Sequence, residues 1–289
     1  MSTADNVIMR QAPPPQLSGE RYLPLQEVGS GAIADVWRAS DRETGAHVAI
    51  KVMRAEELDL EDVQRMSQEV EILKKLHHPC IVQVFATGVT SEGKPYVVME
   101  WVDGINLRSR MEEAPQRRLP PTDVADIISQ ICSALAEGHE HAVIHRDVKP
   151  ENVLLAAPEH LAVKVVDFGM AKILQPQAPE LTLDSKLFGT PEYMAPERVM
   201  GNLVAGAADV YSVAVMAYEM LAGVRPFHGG NPVEVMAKHV KEPPPPLGQP
   251  FGAAVDQALQ LGLAKEPAGR PDARDFASEL ARALADGAA

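Results

Sequence analysis

From Tyr22 to about Val102, apolar and β-branched residues fall in short runs, Ala46–Val52, Ile81–Thr87 and Tyr96–Val102, separated by turn residues such as Glu92-Gly93-Lys94. That pattern predicts strands. Between Leu58 and Leu76 the period changes: Val63, Met66, Val70, Leu73 and Leu76 recur at helical spacing, and His78-Pro79 ends the run. From Leu107 onward the pattern is mostly helical. Thr122 or Asp123 can cap a helix through His141, and Ala208–Gly223 reads as a nearly all-apolar buried helix. Pro243–Pro246 must be a loop, and Val255–Leu263 and Ala273–Leu284 supply closing helices. The predicted class is α+β, with a small strand-rich lobe carrying one helix (22–102) followed by a larger helical lobe (103–284). Residues 1–21, with Pro13-Pro14-Pro15 and little apolar periodicity, read as a flexible tail, as do 285–289.

Composition narrows the function classes. The 289 residues allow one large or two small domains, and 46% hydrophobic with 23% charged residues is a globular balance. A formal net charge of -13 repels phosphate backbones and anionic lipid, which argues against nucleic-acid or membrane-surface binding and leaves basic partners acceptable. Cys80 and Cys132 have no disulfide-framework or metal-ligand spacing and suit core positions in a reducing cytosol. The longest apolar candidate, Val210–Leu221, falls short of the roughly 18 residues of a membrane span and is interrupted by Glu219. The start of the chain has no signal-peptide pattern, so the expected location is cytoplasmic.

Three constellations carry candidate chemistry. Gly29-Ser30-Gly31-Ala32-Ile33-Ala34-Asp35-Val36 lets backbone amides approach phosphate oxygens. Alone it would equally suit a dinucleotide fold or a surface hairpin, but a strand, Val36–Ala39, follows it where a dinucleotide fold needs a helix. The next strand carries Val48-Ala49-Ile50-Lys51, a lysine closing an apolar run. Glu69 falls on the apolar face of the helix with Met66, Leu73 and Leu76 and needs a cationic partner. A Lys51–Glu69 pair would hold the ammonium against nucleotide phosphates. Finally, His145-Arg146-Asp147-Val148-Lys149-Pro150-Glu151-Asn152 precedes Val165-Val166-Asp167-Phe168-Gly169. Asp147 is placed to accept a hydroxyl proton, while Asn152 and Asp167 offer the oxygen set that Mg²⁺ accepts.

With Gly189-Thr190-Pro191-Glu192-Tyr193-Met194-Ala195-Pro196-Glu197 added in the same order, the chain resembles eukaryotic-type (Hanks-type) Ser/Thr protein kinases over about Tyr22–Leu284, and its terse loops are similar to bacterial members. The resemblance implies a bilobal kinase-like fold that transfers the γ-phosphate of Mg-ATP, with Mn²⁺ an acceptable substitute, to protein Ser/Thr hydroxyls. By resemblance Lys51 holds the α/β-phosphates with Glu69 as partner, Asp147 is the base, Lys149 steadies the γ-phosphate, and Asn152 and Asp167 bind the metal. Gly29, Ser30, Gly31, Ala32, Ile33, Ala34, Val36, Ala49 and Leu154 line the nucleotide, Met99 stands behind the adenine, and Glu100 and Val102 form the hinge. Asp209 braces the His145-Arg146 backbone, and Glu197 pairs with Arg270.

Ala34 stands where a third loop glycine is usual, and Ala214 where another glycine is often seen; neither removes a chemical group. The rival from another class is a pseudokinase scaffold that binds nucleotide and partners without transfer. Glu151 and Glu219 match positions that face upstream arginines in basophilic relatives, which implies substrates with basic upstream residues, and Leu187 with Pro191 would form an apolar pocket after the acceptor. Arg146 and Lys172 would need an anion from Leu174–Phe188, where Asp184 is a fixed charge and Thr182 and Ser185 are hydroxyls. This implies autophosphorylation in trans at Thr182 and then Ser185. A transient back-to-back homodimer of the small lobe, as in similar bacterial kinases, is a further expectation.

Overall fold

The computed structural model describes residues 13–31, 34–54, 60–156, 161–170 and 190–286. It divides into two compact units, Met1–Lys74 with Gln83–Trp101 and Lys75–Val82 with Val102–Ala289.

The first unit is a five-stranded antiparallel sheet with one helix. Strands β1 (Tyr22–Ser30), β2 (Ala34–Asp41), β3 (His47–Met53), β4 (Val84–Val89) and β5 (Pro95–Glu100) lie in the order β1-β2-β3-β5-β4. Alternation along the strands sends Trp37, Ala39, Val48, Ile50, Val52, Tyr96 and Val98 into one core. Helix α1 (Leu60–Leu73) buries Met66, Val70 and Leu73 at the predicted spacing, and Leu76 is buried just beyond its end. The sequence pattern places residues 1–21 in a flexible tail, yet Gln16–Ser18 form a short strap. Leu17 bridges Thr90, Ser18 N–H donates to Val89 O at 3.2 Å, and Ser91 N–H donates to Gln16 O at 2.8 Å. Leu17 also packs on the sheet core, which stabilises the attachment.

The second unit holds a three-stranded sheet of β6 (Ile105–Asn106), β7 (Val153–Leu155) and β8 (Val163–Val165). The expected strand Ile81–Thr87 is divided: Val82 N–H donates to Val165 O at 3.0 Å and Val165 N–H to Cys80 O at 2.8 Å, so its first residues pair with β8 rather than joining β4. The helices are α2 (Leu107–Glu113), α3 (Pro121–Glu140), α4 (Pro196–Val199), α5 (Gly206–Ala222), α6 (Pro232–Lys241), α7 (Ala253–Gly262) and α8 (Ala273–Asp286). Helix α3 begins before the expected caps. Pro120 is its N-cap residue without a side-chain bond and Pro121 opens the first turn, where proline's fixed φ suits a helix start. Helix α5 is buried continuously from Ala208 to Leu221. It stops at Gly223, whose φ of 75° is left-handed and where a Cβ would lie 2.3 Å from Gln116 O. Ala214 fits inside because Gly262 faces it: a Cβ on Gly262 would lie 2.7 Å from the Ala214 methyl. Among the described residues, no helix is long and apolar enough to cross a membrane.

A fully buried ion pair braces this unit. Arg270 Nη1 and Nη2 reach Glu197 Oε1 and Oε2 at 2.7 and 2.8 Å. The guanidinium also donates to Ala207 O at 2.9 Å, Lys265 O at 3.0 Å and, through Nε, Ala264 O at 2.7 Å. With side-chain exposures of 0% and 3%, neither charge can turn to water. Arg270→Met is expected to lower unfolding free energy by about 3–5 kcal/mol, because it strands Glu197. Urea denaturation checks this, and the double variant with Glu197→Gln should lose distinctly less.

Candidate active site

In the first unit, register groups the sequence-predicted residues. Val36 opposes Lys51, Ala49 opposes Met99, and Lys51 opposes Val97. Opposed residues share a sheet face, as do positions two apart in a strand, so Val36, Ala49, Lys51 and Met99 lie on one face, opposite that of Val48, Ile50 and Val52. Lys51 is half-buried, and Glu69 is half-buried on α1. Glu100 N–H donates to Gln83 O at 2.8 Å. The hairpin between β1 and β2 is narrow: Gly31 N–H donates to Ala34 O at 3.0 Å. A Cβ on Gly29 would come no nearer than 3.8 Å to Val36, and one on Gly31 no nearer than 3.5 Å to Ala34 O. Their packing does not require glycine, so side-chain-free backbone there suits the approach of an outside group such as phosphate. Ala32 and Ile33 lie outside the described residues.

In the second unit, the segment 145–152 is fixed by the buried start of α5. Asp209 accepts from His145 N–H and Arg146 N–H, both at 2.9 Å, and meets His139 Nε2 at 2.9 Å. His139 has no counterpart in the sequence reading; its place in the last turn of α3 is the only signal that could have drawn attention to it. Asp147 N–H donates to His145 Nδ1 at 3.3 Å, which leaves Nε2 to donate to Val166 O at 2.8 Å. Arg146 has a φ of 69° and Asp167 one of 62°, both left-handed and costly for residues with a side chain. Arg198 Nη1 donates to Arg146 O.

Around Asp147 the predicted residues converge. Lys149 Nζ lies 2.7 Å from Asp147 Oδ2 and donates to Thr190 Oγ1 at 3.0 Å. Asn152 Nδ2 donates to Asp147 O at 2.8 Å and to Oδ2 at 3.2 Å, which turns Asn152 Oδ1 away from that carboxylate. Burial alone would raise the Asp147 pKa. The Lys149 charge and hydrogen bond, with the charge of Arg198, overcome it and hold the carboxyl below its ordinary value. Val166 N–H donates to Asn152 O at 3.0 Å, which ties the segment ending in Asp167 to the Asn152 turn. Phe168 anchors that segment edge-on to His145, 4.9 Å between ring centres, in a space that a Cβ on Gly138 would enter at 2.5 Å. One amide oxygen and one carboxylate suit Mg²⁺ completed by phosphate and water. Among the described residues, no group of three or more His, Cys, Asp or Glu could hold a metal by itself. Leu154 is half-buried in β7.

Glu151 and Glu219, expected to await substrate arginines, are both bound to Arg108. Its Nε lies 2.9 Å from Glu151 Oε1 and its Nη1 2.9 Å from Glu219 Oε1. Lys172, Thr182, Asp184, Ser185 and Leu187 lie outside the described residues.

Comparison with known proteins adds the family. Residues 22–280 match the protein kinase domain. Serine/threonine-protein kinase PknB of Mycobacterium leprae is 39% identical over 89% of this chain and 42% of its own length. Serine/threonine-protein kinase PknA of Mycobacterium tuberculosis is 37% identical over 88% of this chain and 58% of its own. The chain thus spans 42% and 58% of the lengths of these two relatives. The crystal structure of the Mycobacterium tuberculosis PknI kinase domain superposes with a TM-score of 0.74 at 28% identity, covering 94% of this chain and 100% of that one.

Removing the Lys149 charge removes what holds the Asp147 pKa down. In Lys149→Met, burial is left less opposed and the Asp147 midpoint should move to higher pH. A ¹³C titration of the carboxyl checks this; an unmoved midpoint would assign the depression elsewhere.

Proposed function

Because this chain belongs to the protein kinase domain family, we propose that it is an active serine/threonine protein kinase that transfers the γ-phosphate of ATP to protein hydroxyls. The observation that carries this reading is the grouping of Asp147 with Lys149, Asn152 and Thr190, which leaves an ionised carboxylate beside a cation and an amide N–H donor. A binding scaffold has no need of a base held ionised in this way.

In this reading the acceptor Ser or Thr oxygen forms a bond to the γ-phosphorus as the bond to the bridging oxygen of ADP breaks. Asp147 accepts the hydroxyl proton and later releases it to water. Lys149, paired with Asp147 at rest, offsets negative charge on the phosphoryl group. Lys51, partnered by Glu69, engages the α/β-phosphates, and the backbone from Gly29 to Ala34 cradles them. Val36, Ala49 and Leu154 pack on the base, Met99 stands behind it, and Glu100 and Val102 offer backbone groups to its edge. Asn152 and Asp167 would hold Mg²⁺, with Mn²⁺ able to serve. The metal, when bound, neutralises phosphate charge and fixes its geometry.

The substrates are proteins, including the chain itself in trans. ATP supply and the two thiols suit a cytoplasmic setting and a role in signal transduction. The -13 charge argues against a nucleic-acid partner. We further propose a transient homodimer through the strand-rich unit and activation by phosphorylation at Thr182 and then Ser185, which supplies an anion for Arg146 and Lys172.

Asp147→Asn should lower phosphoryl transfer to a generic basic protein by a factor of about 10² or more, the scale of general-base catalysis. Nucleotide affinity, measured with a fluorescent ATP analogue, should change little. Full activity in this variant would refute the base assignment. The Thr182→Ala/Ser185→Ala variant should show reduced turnover, and mass spectrometry should find phosphate on one or both residues in active enzyme; unchanged turnover removes that mechanism.

A further inference from the structure

We propose that Arg108 is a specificity-determining residue that fills, from within the chain, the acidic pair Glu151/Glu219, so that this kinase selects acceptors without regard to upstream arginine. The inference rests on the reading of the chain as a kinase.

Glu151 lies in the turn Pro150–Asn152, one residue from Asn152 and two from Lys149, and Glu219 lies in the buried helix α5. Tyr193 closes the turn Pro191–Tyr193, which follows the Thr190 that Lys149 contacts. The two carboxylates therefore stand on the segments that flank the catalytic base. Carboxylates converging from separate elements form a guanidinium receptor, since arginine's planar fork matches carboxylate oxygens.

In this chain the guanidinium is supplied by α2. Arg108 Nε donates to Glu151 Oε1 at 2.9 Å, Nη1 to Glu219 Oε1 at 2.9 Å and Nη2 to Glu219 Oε2 at 3.3 Å. Nη2 also donates to Tyr193 OH, and that hydroxyl donates to Glu219 Oε2. Both oxygens of Glu219 are thus taken, and its side chain is 9% exposed. Burial opposes the charge on Arg108, but the Glu219 hydrogen bond and the surrounding negative groups hold its pKa above the ordinary arginine value. Burial and Glu219 likewise raise the Tyr193 pKa, so its hydroxyl remains a donor.

An incoming arginine would find only Glu151, whose side chain is 43% exposed and already shared. A single exposed carboxylate contributes little to selection, because solvent and salt screen it. Displacing Arg108 would break its bonds to Glu219 and Tyr193 as well. Arginine selection is therefore suppressed by occupancy, although both glutamates are present.

The test compares two acceptor peptides that differ only in arginine or alanine two and three residues before the serine. Wild-type enzyme should show kcat/KM values within about threefold of each other, and Arg108→Ala should favour the arginine peptide at least tenfold, the scale of a charge-assisted hydrogen bond. Adding Glu219→Gln should return that ratio toward the wild-type value, a change that a general folding defect would not produce. A tenfold arginine preference in wild type overturns the proposal, as does an unchanged ratio in Arg108→Ala. If Arg108→Ala does not fold, the wild-type ratio decides alone. Failure of wild type to phosphorylate either peptide or any generic protein sinks the kinase reading itself, and is thereby distinguished from failure of this inference.

Discussion

The segment 145–152 depends on one buried carboxylate. Asp209 is 1% exposed and accepts the successive N–H groups of His145 and Arg146. The second of these residues is left-handed, at a cost of about 1–3 kcal/mol. Hydrogen bonds to a charged acceptor contribute about 1.5–3 kcal/mol each, enough to offset that strain. The bent backbone that follows turns Asp147 toward Lys149 and Asn152. His139 completes the coordination of Asp209 from α3, so the segment is fastened to two helices packed deep in the same unit.

The long elements were legible because their periodicity reports burial directly. Met66, Val70 and Leu73 mark one face of α1, and the apolar run of α5 marks a helix enclosed on all sides. Boundaries set by tertiary pairing were not legible. Ile81 and Val82 are as β-branched as their neighbours, and only the presence of β8 draws them away from β4. Leu17 is a lone apolar residue in a polar, proline-rich stretch, and nothing in its local pattern shows that β4 has an edge to receive it. Thr122 and Asp123 are good caps by chemistry, but Pro121 pre-forms the first turn and moves the start ahead of them.

The candidate site was legible to a different depth. Asp147, Lys149 and Asn152 lie within a few residues of one another, so spacing alone brings their groups into reach, and the structure joins them by hydrogen bonds. Val36, Ala49 and Met99 are far apart in sequence yet share a face with Lys51, because antiparallel register and strand alternation together fix which side chains are neighbours. His139 and Arg198 carry no local motif. Each acts on the site through a distant backbone or carboxylate contact, and such contacts leave no spacing to read.

Arg108 shows why residue identity and residue availability are separate questions. Glu151 and Glu219 are acidic in any reading of the sequence, and sequence alone presents them as open to a cationic partner. Whether a buried carboxylate is open depends on whether the fold has already paired it, and desolvation makes pairing obligatory for a group as enclosed as Glu219. The first turn of α2 brings a guanidinium with donors enough for both glutamates and Tyr193. The same interaction links α2, α5 and the two turns that flank Asp147. Two carboxylates sharing one guanidinium leave this cluster of three a single net negative charge, with Glu151 its most exposed member.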